Sequence, residues 1–331
     1  MAGGCIMDML PACVRQGYTG DVLILLGLIY GGYLTYNALL QFTRFMRNYV
    51  LSSTAHIRKL GEWAVVTGAT DGIGKAYAEE FARCGLNVFL ISRTQSKLDQ
   101  CAAELAEKFP DREFRTLALD FSGGAEVYGP LQTVLPELDV GVLVNNVGMG
   151  YDYPMPYHEV SEDLAARMVN VNVLSMAMMT RIVLPGMVER HRGAIVNVGS
   201  ASGLVPTPFL ALYGGSKAFA DFFTRAMEAE YAGKGVTFQS VMPFFVATKL
   251  AKIRRPRIDA PSPTTFVRSA IRTIGVSSRT QGYWVHSLIA CLAYRNLPGF
   301  ALTRLISNTN SNLRKVALRK KEKAATEKKA E

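Results

Sequence analysis

The chain has 331 residues, 49% of them hydrophobic and 19% charged, with a formal net charge of +10. That apolar share excludes intrinsic disorder, and the length supports one large α/β domain or two small ones. Five scattered cysteines (Cys5, Cys13, Cys84, Cys101 and Cys291) without C-x-x-C spacing argue against a disulfide framework and fit a reduced compartment, while four dispersed histidines leave no metal-ligand pattern.

The first predicted element is Val22–Thr43, a run without formal charge. As a helix it reaches about 33 Å, enough to cross a bilayer core. Asp8, Arg15 and Asp21 precede it, whereas Arg44, Arg47, Arg58 and Lys59 follow. The positive-inside rule then places residues 1–21 in the lumen, 22–43 in the membrane as an anchor, 44–60 as a juxtamembrane linker and the bulk in the cytosol.

Beyond Gly61, apolar runs alternate with helical patterns. Trp63–Thr67, Asn87–Ser92, Phe114–Leu119, Val140–Asn145, Ala194–Val198 and Val236–Val241 read as buried strands. Helical stretches fall at about Gly72–Cys84, Ser96–Phe109, Ala125–Leu135, Asn172–Glu189 and Tyr213–Ala232. The alternation predicts an α/β fold over residues 61–280, a Rossmann-type doubly wound parallel sheet with helices on both faces. Tyr283–Ile306 is apolar but is broken by Arg295, Pro298 and Arg304, so residues 281–313 read as a core helix or an interfacial segment. From Arg314 to Glu331 eight Lys/Arg face three Glu, half the excess charge of the chain. No aromatic residue interleaves with them, which speaks against nucleic acid and for a solvated or membrane-facing tail.

Three motifs carry chemistry. Directly after the first strand comes Thr67-Gly68-Ala69-Thr70-Asp71-Gly72-Ile73-Gly74, then helical sequence. Glycines there let the backbone approach a pyrophosphate, and the helix N-terminus offers free N–H groups. The second strand ends in Ile91-Ser92-Arg93-Thr94, with no acid for a ribose 2′-hydroxyl; Arg93 suits the 2′-phosphate, so NADP(H) is the expected cofactor. Tyr213 and Lys217 are one helical turn apart, with Ser200 thirteen residues before the tyrosine. A phenol is a sluggish acid at neutral pH, and the neighbouring ammonium is expected to lower its pKa.

In this order the motifs resemble those of the short-chain dehydrogenase/reductase family, over roughly Gly61 to Thr248. The resemblance implies that Tyr213 donates a proton, that Lys217 also binds the nicotinamide ribose, that Ser200 bonds the substrate carbonyl and that Asn172 supports a proton relay, with Asn170 a competitor for that last role. It further implies cofactor contacts at Asp120, Asn146 and Thr248, and a homodimer through the two long helices. Two departures stand out: Asn145-Asn146-Val147-Gly148 replaces the usual N-N-A-G, and Pro243-Phe244 replaces P-G.

Finer resemblance, carried by Leu184–Arg190, Phe245–Arg254, the anchor and Lys328-Lys329-Ala330-Glu331, points to a microsomal group of the family. That group acts on long 3-oxoacyl-CoA in fatty-acid elongation or, alternatively, on ketosteroids at C17 or C20. The closing K-K-x-x resembles a dilysine retrieval signal of the endoplasmic reticulum. Met149, Tyr151, Tyr153, Phe209, Leu210, Phe244 and Phe245 are candidates to line an apolar slot. Lys249, Lys252, Arg254, Arg255 and Arg257 form a cationic cluster suited to the phosphates of an acyl-CoA or to anionic lipid. A catalytically inactive scaffold is the remaining reading, and the complete Ser200–Tyr213–Lys217 set argues against it.

Overall fold

The computed structural model describes residues 19–330, in two units divided after Leu51. Cys5, Cys13, Asp8, Arg15, most of the expected lumenal segment and Glu331 lie outside the described residues. The first unit is helix α1, Thr19–Phe45, prolonged by a π-helical turn, Met46–Val50. Twenty-seven residues span about 40 Å, and side chains such as Leu23, Ile24, Leu28, Tyr33 and Leu39 are exposed around it. Two of its polar side chains turn back to the helix backbone: Thr35 Oγ1 donates to Gly31 O at 2.9 Å and Asn37 Nδ2 to Tyr33 O at 2.8 Å. Such internal satisfaction is what a lipid environment demands, and α1 is long and apolar enough to cross a membrane.

The second unit is built on seven parallel strands: β1 (Trp63–Thr67), β2 (Asn87–Ser92), β3 (Phe114–Ala118), β4 (Val140–Asn145), β5 (Gly193–Val198), β6 (Val236–Val241) and the short β7 (Arg279–Thr280). Their order is β3-β2-β1-β4-β5-β6-β7. Successive side chains point to opposite faces: Ala64, Val66, Leu90, Val142 and Val196 enter one core, while Val65, Phe89, Ile91, Leu143 and Ile195 enter the other. Both faces are buried, which is why these strands are continuous apolar runs.

Around the sheet lie α2 (Gly72–Arg83), α3 (Gln95–Lys108), α4 (Gly129–Val134), α5 (Glu162–Val169), α6 (Ser175–Glu189), α7 (Ala211–Glu230), α8 (Pro263–Ala270), α9 (Trp284–Asn296) and α10 (Gly299–Ala330). A π-helical turn, Asn170–Leu174, joins α5 to α6. The helix expected to begin at Asn172 therefore starts at Glu162, where Ser161 Oγ accepts from Leu164 N as an N-cap. The stretch Ala125–Leu135 splits into a 3₁₀ turn and α4. Residues 52–60, expected as linker, belong to this second unit: Ile57 is fully buried, and the Arg272 guanidinium donates to Ser52 O at 2.7 and 3.0 Å. Beyond residue 281 the chain forms α9 and α10, so the basic tail is helical to Ala330.

Candidate active site

The strand order reverses between β1 and β4, and the crevice at their carboxyl ends is where an open α/β sheet takes its ligand. The glycine turn sits there. Gly68 adopts φ +66°, a conformation that side chains disfavour, and its N–H donates to Ile91 O at 2.8 Å. A Cβ at Gly74 would stand 2.2 Å from Gly68 O, so the turn closes onto α2 only because that Cβ is missing. Thr70 and Ser92 share a hydroxyl hydrogen bond of 3.0 Å, Asp71 caps α2 by accepting from Gly72 N at 2.8 Å, and Ile73 packs on the core. Thr248 lies against this turn: a Cβ at Gly72 would be 3.3 Å from its methyl group. Partial burial works against the Asp71 carboxylate, but Lys249 at 2.7 Å and the Gly72 N–H outweigh it and hold its pKa down.

Further along the same edge, Arg93 is exposed at the end of β2. Asp120 is held below the ordinary carboxylate range by the Ser122 backbone N–H at 3.0 Å, with the Ser122 hydroxyl and the Arg93 charge adding to it. A narrow glycine turn, a helix N-terminus and an arginine at the far ribose position fit a phosphorylated dinucleotide. Asn146 does not extend into this groove with a free amide. Its Nδ2 donates to Thr67 O at 2.9 Å and Gly68 O at 3.3 Å, tying the end of β4 to the glycine turn.

Across the crevice, Ser200 begins the turn after β5 and Tyr213 lies in the first turn of α7, their side chains hydrogen-bonded. Lys217 is buried and donates to Val198 O at 3.2 Å, with Nζ 5.9 Å from the Tyr213 ring centroid. Burial lowers the Lys217 pKa to about 8. Burial also raises that of Tyr213, against a smaller opposing effect from Ser200. The expected lowering by Lys217 is thus not what this structure gives: desolvation dominates, and the phenol stays neutral and protonated.

The π-helical turn aims Asn172 inward. Its Oδ1 accepts from Met149 N at 2.8 Å, and its Nδ2 donates to Met149 O and Ser216 Oγ, both at 3.0 Å. A Cβ at Gly148 would sit 3.5 Å from Asn172 Oδ1 and 3.2 Å from Lys217 Nζ, so both groups border the bare glycine. Asn170 points elsewhere, to Ser122 O at 2.8 Å.

Of the residues expected on the substrate side, Phe209 holds φ +67° and accepts at its carbonyl from Met155 N at 2.9 Å. Tyr151 OH accepts from Leu212 N at 3.3 Å, beside Tyr213. Phe244 packs on α9, 5.7 Å between ring centroids from both His286 and Tyr294, while Phe245 is exposed. The cationic cluster divides. Lys249 pairs with Asp71, Arg257 with Asp259 at 3.0 Å, and Lys252 donates to Asp152 O. Arg254 and Arg255 are exposed with no carboxylate partner among the described residues.

Sequence reasoning missed several contributors. Buried His286 joins α9 to the loop after β6 through Nε2 and Asp259 O at 3.1 Å, and burial keeps its pKa low. Leu250 stands beside Gly150 and the Tyr213 ring. Under the site runs a buried amide chain, Asn145 to Asn197 at 2.8 Å and Asn197 to Thr224 at 2.8 Å. Its only sequence signal was asparagine inside otherwise apolar strands.

A doubly wound sheet with a phenol, an ammonium and a hydroxyl facing a dinucleotide turn defines the class, a nucleotide-dependent oxidoreductase. The chain belongs to the short chain dehydrogenase family, whose sequence profile matches residues 62–259. It is 51% identical over 266 residues to the very-long-chain 3-oxoacyl-CoA reductase of Homo sapiens, covering 80% of this chain and 84% of that one. With very-long-chain 3-oxoacyl-CoA reductase-B of Danio rerio it shares 42% identity over 304 residues, 91% of this chain and 97% of the relative. Among solved structures, a short-chain dehydrogenase from Sphingobium yanoikuyae in complex with NADPH superposes with a TM-score of 0.56 at 28% identity, covering 61% of this chain and 80% of that one.

Proposed function

We propose that this protein reduces the 3-keto group of long and very long acyl-CoA with NADPH, as a step of fatty-acid elongation. The observation that carries this reading is the 51% identity to a relative named for that reaction, over four fifths of the chain. The Ser200–Tyr213–Lys217 set and the exposed pair Arg254 and Arg255 support it.

NADPH, when bound, supplies the hydride. Gly68, Thr70, Asp71, Gly72, Ile73 and Gly74 form its pyrophosphate cradle, Arg93 meets the 2′-phosphate, Asp120 the adenine, and Thr248 and Lys217 the nicotinamide end, with Asn146 bracing the cradle. Ser200 and Tyr213 donate hydrogen bonds to the ketone oxygen, favouring negative charge there. Tyr213, a neutral phenol at pH 7, delivers the proton. Lys217, as the ammonium, is the group that can resupply it, and Asn172 supports the relay. Phe209 and Phe244 bound the acyl chain, and Arg254, Arg255 and Arg257 face the CoA phosphates.

We place the protein in the endoplasmic reticulum membrane through α1, with the second unit in the cytosol. Arg44, Arg47, Arg58 and Lys59 after the span support that orientation. Protease added to sealed microsomes should digest the second unit from outside. A homodimer through α6 and α7 is supported by Phe222, 73% exposed on α7.

NADPH oxidation by the detergent-solubilised protein tests the reaction, with a long-chain 3-oxoacyl-CoA and a panel of ketosteroids in parallel. Far higher kcat/KM for the acyl-CoA is expected. Preference for a ketosteroid would replace this reading with a hydroxysteroid dehydrogenase.

A further inference from the structure

The C-terminal helix α10 has no part in the chemistry above, yet it reaches the cleft. Asn310, Arg314 and Lys321 stand at i, i+4 and i+11, one face of the helix. Asn310, a buried polar residue, donates from Nδ2 to Pro208 O at 2.8 Å, in the segment between Ser200 and Tyr213. Arg314 Nη2 binds Glu159 Oε1 at 2.7 Å, and its guanidinium carbon lies 6.0 Å from the Tyr153 ring centroid. Lys321 Nζ lies 4.3 Å from the same centroid. Both are within cation–π reach.

Tyr153 is three positions beyond Gly150, where a Cβ would lie 3.7 Å from the Tyr213 ring. From the loop after β6, Lys252 donates to Asp152 O, one residue away. Three cations from two distant parts of the chain therefore converge on Asp152–Tyr153, in the loop whose Gly150 faces the Tyr213 ring. Only Arg314 has a carboxylate partner; Lys252 and Lys321 are exposed and meet none among the described residues. With Glu159 bonded to Arg314 and the Asp152 carboxylate on the same loop, the three cations still outnumber the carboxylates, and the net positive charge favours an added anion.

We propose that α10 is part of the substrate site, with Lys321, Arg314 and Lys252 extending the group of Arg254, Arg255 and Arg257 into one cationic seat for the phosphates of the CoA head. This rests on the reading of the substrate as an acyl-CoA. It gives the basic C-terminal sequence a role in recognising the carrier of the acyl chain, and it makes α10 a wall of the cleft.

The test compares one 3-oxoacyl chain on two carriers, CoA and pantetheine, the latter without the nucleotide phosphates. The readout is the ratio of kcat/KM for the CoA thioester to that for the pantetheine thioester. Lys321→Ala and Lys252→Ala should each lower it about three- to tenfold, as loss of a charge-assisted contact does. Lys320→Ala removes the same charge from an adjacent face of α10 and should leave the ratio unchanged. Both lysines of the seat are exposed, so folding is not at stake.

An unchanged ratio in Lys321→Ala would overturn the proposal, as would an equal fall in Lys320→Ala. The measurements are made with the full chain in phosphatidylcholine bilayers, with and without phosphatidylserine. A loss confined to bilayers with phosphatidylserine would assign the cations to the lipid surface and overturn the seat. If the unaltered protein turned over neither thioester, the acyl-CoA reading itself would fall, and the seat with it. Turnover of both with no change of ratio would remove the seat alone.

Discussion

The two sides of the cleft are built differently. On the β1–β2 side, the site is made by backbone shape: a positive φ at Gly68 and the approach of Gly74 to its carbonyl form the turn within one strand–helix junction. On the other side, side chains from the loops after β4, β5 and β6 and from α7, α9 and α10 are brought together across the sequence. A dinucleotide phosphate of fixed shape can be met by local backbone, whereas a varied substrate has to be met by an assembly of side chains. The two sides should therefore fail separately.

The largest separation is expected at Tyr213. Tyr213→Phe keeps the ring and removes the hydroxyl, so kcat should fall about 10³-fold, within the usual span for a general acid. NADPH affinity, followed by its fluorescence, should hold. A comparable loss of NADPH binding would mean that the two sides act as one. Gly74→Ala is the complementary cut. Its Cβ would meet backbone at 2.2 Å, so the turn must move. Overpacking of that kind costs about 2 kcal/mol, and NADPH Kd should rise roughly 30-fold. Thiol-carrier discrimination on the other side should be untouched.

The same division governs what could be read in advance. The strands and the glycine turn were legible because both depend on sequence neighbours: parallel strands buried on two faces are unbroken apolar runs, and a turn needs its glycines at fixed offsets. The spacing of Ser200, Tyr213 and Lys217 was legible for the same reason. The start of α5 was signalled by Ser161 followed by Glu162 and Asp163 and by the stripe Leu164, Ala165 and Met168, but eight residues make a short stripe, easily passed over. Nothing local announces that Arg314 bonds Glu159, 155 positions away, or that the two-residue β7 extends the sheet beside β6. The direction of the Tyr213 shift also escaped, because the sequence shows the neighbouring lysine and not how deeply both groups are buried.

Lys217 sharpens the comparison by setting stability against activity. Its folded pKa of about 8 lies below the ordinary 10.5 because burial disfavours the ammonium. Between those values the unfolded chain holds a proton that the folded chain has released, so stability rises with pH across the window. At pH 7 the lysine is charged in both states and the folded state bears the full desolvation cost, about 3 kcal/mol at one pKa unit per 1.4 kcal/mol. Lys217→Met removes that cost and one hydrogen bond to Val198, worth about 1 kcal/mol. The variant should be about 2 kcal/mol more stable at pH 7, lose the rise between pH 8 and 10.5, and turn over poorly. Denaturant melts of the cofactor-free protein across that range check all three signs, and a variant less stable than the parent at pH 7 would refute the argument.

The smallest expected effect concerns Arg93, where the backbone-built side relies on one side chain after all. Its charge reaches Asp120, whose carboxylate is kept ionised mainly by the Ser122 N–H, then by the Ser122 hydroxyl, with that arginine adding a smaller share. At neutral pH the arginine therefore has a negative neighbour competing for its field, and a 2′-phosphate would share it with Asp120. Arg93→Ala should raise the KM for NADPH about tenfold, one charge-assisted contact, and barely alter that for NADH. Asp120→Asn should move the preference the other way with respect to the phosphate, relieving repulsion while keeping a side chain that accepts from Ser122. The ratio of kcat/KM for NADPH to that for NADH, measured in both variants at low and at high salt, separates the two effects. A contact between exposed charges fades with screening, so the Arg93→Ala deficit should shrink at high salt. A deficit that salt leaves untouched would mean that Arg93 acts through the shape of the β2 loop, and this corner too would then belong to the backbone.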